Sequence, residues 1–111
     1  MALTRYYNLV GSTQQETEII GVNDITTETI KSVYLNNIHT SSAATIDLYI
    51  YKPSTDTTAE ETYYILYNSS LTAKTSLELT SEFGLFNFNN SEYALFIKIG
   101  SSDTVDVLIG I

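Results

Sequence analysis

Apolar and polar residues alternate along most of this chain, and the alternation breaks at regular intervals. In "ATIDLYIY" (44–51), Ala44, Ile46, Leu48 and Ile50 face one way, and Thr45, Asp47, Tyr49 and Tyr51 the other. A period of two gives a strand one dry and one wet face. "IKSVYLNN" (30–37) repeats the pattern, with Val33 and Leu35 on one side and Ser32 and Tyr34 on the other. A small polar loop joins the two runs, so residues 30–52 are expected to form a hairpin.

The pattern continues on both sides. "TEIIGV" (17–22), "TYYILYN" (62–68) and "TSLELT" (75–80) read as strands, Leu77 and Leu79 pointing in. Tyr93, Leu95, Ile97 and Ile99 share a face, as do Val105, Val107, Ile109 and Ile111. The turn "GSSD" between them suggests a second hairpin over 92–111. Polar stretches separate the rest: "NDITTET" (23–29) as a turn and "KPSTDTTAEE" (52–61) as a surface loop. "SEFGLFNFNN" (81–90) reads as an irregular crossing. Residues 1–15, ending in the polar run Gly11–Gln15, are expected to be an N-terminal arm or an edge strand, and 16–111 one domain. No window has a helical period. Seven to eight short strands at roughly ten-residue spacing predict an all-β chain, a single antiparallel β-sandwich, Ig-like or jelly-roll-like.

Composition narrows the function classes. With 111 residues the chain can bury a core without staples, and the absence of Cys excludes a disulfide scaffold, a thiolate zinc site and a cysteine nucleophile. The formal charge is -8, and the basic residues Arg5, Lys31, Lys52, Lys74 and Lys98 stand singly. A nucleic-acid partner needs clustered Lys and Arg, and an anionic membrane surface would repel this field, so neither partner is expected. No apolar run approaches the roughly 20 residues that span a bilayer. "MALTRYYNLVGSTQQ" lacks the apolar core of a secretory signal, which implies a cytoplasm or a particle assembled there.

Catalytic chemistry has few candidates. His39 is the sole histidine and sits in a loop without converging ligands, so no metal or cofactor is expected. The carboxylate pairs Glu16/Glu18, Glu60/Glu61 and Asp103/Asp106 read as solvated charge, and Asp47 points outward. The chain is expected not to be an enzyme, with no catalytic residue. The informative excess is nine Tyr against four Phe and no Trp. Tyr34, Tyr49, Tyr51 and either Tyr63 or Tyr64 alternate outward, as interface anchors or as cross-strand dressing of a sheet.

The strand sequence also resembles a known group. "IKSVYLNNIHTSSAATIDLYI", "YYILYNSSLTAKTSLELT" and "NNSEYALFIKI…DTVDVLIGI" are similar to small β-sandwich structural proteins of tailed bacteriophages. The words that carry it are Leu35-Asn36, then Ala44-Thr45-Ile46-Asp47-Leu48, then Tyr63, Ile65, Leu66, Asn68 and Leu71 leading into "SLEL" (76–79). The likeness covers 16–111. "LTAKTSLEL" departs from it, because the group has a Pro and a Gly before the Ser-Leu pair. The resemblance implies a virion part, foremost a capsid decoration (cement) protein binding the outer shell through the major capsid protein or other virion proteins, with a possible homo-oligomer. A neck, tail or fibre component is the alternative. A module of another class, binding a carbohydrate or receptor, would use Asn36, Asn37, Asp56, Asn89 and Asn90 as polar partners. The residues expected to dock are Arg5, Tyr6 and Tyr7 of the arm, with Tyr34, Tyr49 and Tyr51 of the middle strands; removing residues 2–12 is expected to leave the sandwich folded.

Overall fold

The computed structural model describes residues 3–10 (of 3–6 the backbone alone), 16–24, 30–80, 90–100 and 102–110. They hold eight strands: β1 Leu3–Val10, β2 Glu16–Ile20, β3 Ser32–Asn37, β4 Ala44–Lys52, β5 Glu61–Leu71, β6 Ser76–Thr80, β7 Ala94–Ile99 and β8 Thr104–Gly110. Two four-stranded sheets form, ordered β1-β8-β3-β6 and β2-β7-β4-β5. Every pairing is antiparallel. The all-β sandwich expected from the alternation is therefore present. Of the two topologies left open, the strand order is that of a jelly roll, in which β1 pairs with β8, β2 with β7, β3 with β6 and β4 with β5.

The dry faces meet in one core. Val33 and Leu35 of β3 and Val105, Val107 and Ile109 of β8 oppose Ala44, Ile46 and Leu48 of β4 and Leu95, Ile97 and Ile99 of β7. Ile19, Ile20 and Ile30 complete it. Full burial of each large aliphatic chain contributes about 1.5–3 kcal/mol, so this layer dominates the stability of a chain without disulfides.

The expected hairpins do not form. β3 and β4 belong to different sheets, and so do β7 and β8, so 30–52 and 92–111 are arches that cross the core. Alternation marks the dry face of a strand. Two strands facing one core from opposite sheets carry the same pattern as two neighbours in one sheet. The true hairpin is β4–β5, around the polar loop 53–60. The two arches lie side by side, with the Ile38 N–H donating to the Thr104 carbonyl at 3.2 Å and the Thr45 N–H to Asp103 Oδ2 at 2.9 Å.

One buried polar residue pins the first arch. Asn37 is fully buried, donates through Nδ2 to the carbonyls of Ser42 and Leu71, both at 3.0 Å, and accepts the His39 N–H at 3.0 Å. His39 is not an idle loop residue, since its Nδ1 accepts the N–H groups of Ser41 and Ser42.

β1 runs along β8 at the edge of its sheet. Tyr7 and Leu9 pack against the core, and the Tyr7 hydroxyl donates to the Ile19 carbonyl at 2.8 Å. A cut through residues 2–12 would remove this packing and bare β8, contrary to the expectation that the sandwich would be left whole. The polar run 11–15, most of the turn 23–29, the crossing at 81–89 and Ile111 lie outside the described residues.

Candidate functional site

The outer face of the β2-β7-β4-β5 sheet carries the most concentrated side-chain chemistry. Pairing sets Phe96 of β7 beside Tyr49 of β4, and Tyr49 beside Tyr64 of β5. Tyr49 and Phe96 stack with centroids 5.7 Å apart and planes 7° from parallel. Tyr51 meets Phe96 edge-on at 5.7 Å, Tyr64 tilts against Tyr49 at 5.3 Å, and Tyr67 meets Tyr64 at 4.8 Å. The result is a chain of five rings, Tyr51–Phe96–Tyr49–Tyr64–Tyr67, across three strands. Offset and edge-on ring pairs of this kind each add about 0.5–1.5 kcal/mol beyond their area. Tyr64 and Tyr67 remain 51% and 68% exposed.

Irregular pairing puts the outer rings there. The β4–β5 register shifts between Ile46 and Leu48 and again between Leu48 and Tyr49. Each shift inserts residues in β5, as a bulge does, and re-aims the side chains beyond it. Asn68 adopts a φ of 50° at the first shift, a left-handed conformation that Asn tolerates, and its N–H donates to Asp47 Oδ1 at 2.5 Å. Simple alternation could not choose between Tyr63 and Tyr64. Tyr64 joins the ring chain, whereas Tyr63 pairs with Tyr93 at 6.1 Å, and both donate to Glu61 Oε1, at 2.9 and 2.8 Å.

The residues expected to dock separate across the molecule. Tyr51 lies on the aromatic face, its hydroxyl donating to Glu60 Oε2 at 2.6 Å. Tyr49 lies there too but is covered by its neighbours and only 5% exposed. Tyr34 is half-exposed on the opposite sheet, donating to Ser76 Oγ at 2.9 Å, so it cannot share a surface with Tyr49 and Tyr51. The arch explains this, because a hairpin would have put all three together. Tyr7 turns inward with its hydroxyl committed to Ile19 and offers no free docking group. Arg5 and Tyr6 pair with Ile109 and Leu108 along the backbone, and their side chains lie outside the described residues. Of the polar partners for a sugar, Asn37 is spent inside the fold and Asn90 donates to the carbonyls of Gly21 and Tyr93. Asn89 lies outside the described residues.

Beside the rings is a cleft of about 360 Å³, lined by Glu16, Tyr49, Tyr51, Glu60, Thr62, Tyr64 and Phe96. The phenolic oxygen of Tyr49 is buried and makes no hydrogen bond. Burial, and then the nearby carboxylate of Glu16, push this phenol well above its ordinary value, although Glu16 does not reach hydrogen-bond geometry with it. Nothing in the sequence pattern groups Phe96, Tyr67, Glu16 and Glu60. Phe96 was readable in principle, since it alternates against Leu95 and Ile97. The two carboxylates border one cleft although β2 and β5 are opposite edges of the sheet, which no local pattern in the sequence shows. Among the described residues no three His, Asp or Glu side chains cluster as a metal site. Comparison of the chain with family models, with curated proteins and with solved structures returned no match.

Proposed function

We propose that this chain is a non-enzymatic structural protein of a phage virion, a capsid decoration protein that docks on the shell through the aromatic face of the β2-β7-β4-β5 sheet. The observation that carries the reading is the ring chain ending in the exposed Tyr64 and Tyr67. Cross-strand pairing alone does not require that two large rings at the sheet margin stay open to solvent. Tyr supplies rigid contact area with a polar tip and is enriched where proteins meet. The strand resemblance to phage sandwiches supports the same setting, and jelly rolls are a common build for shell proteins, though fold alone assigns no function. The partner is then the major capsid protein or another shell protein, and the location the virion.

The test is co-sedimentation of the purified protein with phage heads. The wild type should pellet with heads, and a Tyr64→Ala/Tyr67→Ala variant should stay in the supernatant with an unchanged circular dichroism spectrum. Equal pelleting by both would remove the aromatic face from the account. A neck or tail component would pellet with tails instead.

A further inference from the structure

We propose that the cleft beside the ring chain seats one arginine side chain presented by the partner protein. The inference rests on the docking reading above and names the chemistry of the contact.

Three observations point to a cationic, planar guest. The walls are rings: Tyr51, Tyr64 and Phe96 border the cleft around Tyr49. Their faces carry the negative part of the ring quadrupole, which attracts a cation held within about 6 Å. Among the described residues the acids are two, Glu16 and Glu60, and no Lys or Arg lines the cleft. Lys98, the register partner of Glu16, lines the neighbouring hollow with Asp47 instead. The floor is polar and unfinished, because Tyr49 is only 5% exposed, yet its phenolic oxygen has no partner. A buried hydroxyl without a hydrogen bond is a cost the fold has not recovered, and a donor entering the cleft would offset it.

Guanidinium matches this set better than ammonium. It is flat, so it stacks on the rings; it is weakly hydrated, so it enters with little desolvation cost; and its five N–H donors can divide between two carboxylates and a phenol oxygen. A lysine would bring a compact, strongly hydrated charge to the same walls. The overall charge of -8 also favours a basic partner surface during approach.

The test uses the whole protein, ¹⁵N-labelled, titrated with N-acetyl-arginine methylamide and with the neutral citrulline analogue of the same shape. The arginine probe should shift the amides of residues 49, 51, 64 and 96 saturably, with a Kd on the order of millimolar for a single side chain. Citrulline should bind at least about tenfold more weakly, since charge-assisted hydrogen bonds and cation–π attraction are both lost. Glu16→Gln/Glu60→Gln should lose the arginine response and also fall off phage heads. Tyr49→Phe should melt higher, having lost an unpaired hydroxyl, and yet bind the probe a few-fold more weakly. Equal binding of arginine and citrulline, or arginine binding unchanged in the double variant, overturns the inference. So does preferential binding of a simple glycoside. If the double variant still pellets with heads, arginine seating falls and aromatic docking stands. If the wild type never pellets, the docking reading falls and the partner assigned here falls with it.

Discussion

The carboxylate of Asp103 accepts the backbone N–H of Thr45 at 2.9 Å, joining the arch before β8 to the start of β4. The same oxygen takes the Gly100 N–H at 2.7 Å within its own arch. This side chain therefore helps to fix how the two crossings stack, together with the Ile38 N–H bond to the Thr104 carbonyl. A Cβ at position 100 would lie 2.6 Å from Asp103 Oδ2, so a larger residue there would displace the carboxylate.

Asp103→Ala should cost about 1–3 kcal/mol by leaving two donors without their acceptor. Asp103→Asn keeps an acceptor oxygen but loses the charge, and should cost less. Urea unfolding of the three proteins measures the order, and equal stability of all three would show that the arches stack without this contact.

Asn37 is the polar counterpart inside the first arch. Asn37→Ala strands two carbonyls and one N–H in a fully buried site, for a loss of about 2–4 kcal/mol. Asn37→Asp should be worse at neutral pH, since it points a carboxylate at the carbonyls of Ser42 and Leu71. Thermal melts of both variants read this directly, and a milder effect of Asp than of Ala would contradict the donor role of Nδ2.

Much of this was legible beforehand, and the failures share one cause. Leu48 and Ile97 announce themselves because each is flanked by outward side chains in a run without slips. What alternation cannot show is which sheet a strand joins, so it puts Tyr34 beside Tyr49, whereas the sandwich lies between them. Nor can it show a bulge, and it is the shifted register of β5 that sets Tyr64 against Tyr49. The cleft is hidden for the same reason: Glu16 begins β2, Glu60 ends the loop before β5, and only the folded sheet puts both on one cleft.

The Glu61 cluster predicts a pH window. Hydrogen bonds from Tyr93 and then Tyr63 hold its carboxyl below the ordinary 4.5, and the bond to Glu61 pushes Tyr93 from 10.0 up to about 12. A lowered acid stabilises above its unfolded value, and that gain disappears as pH falls through the folded value. A raised phenol stabilises fully below 10.0, and that gain is lost as pH rises toward about 12. The melting advantage of wild type over Glu61→Gln should therefore be largest between about pH 5 and 9 and shrink on both sides. A gap that does not vary with pH would contradict the cluster.

Lys74 occupies the turn between β5 and β6 with a φ of 60°, in the left-handed region that glycine enters without steric cost. The left-handed conformation costs a non-glycine residue about 1 kcal/mol, so Lys74→Gly should raise stability by roughly 0.5–1 kcal/mol. A lower melting temperature in this variant would mean that the turn depends on the lysine side chain.

The central claim, that the chain decorates a phage shell, is tested most directly by quantitative mass spectrometry of purified particles. A decoration protein is expected at a copy number within a few-fold of the major capsid protein. Its absence from the particle, or a level matching a single portal or tail ring, would contradict it.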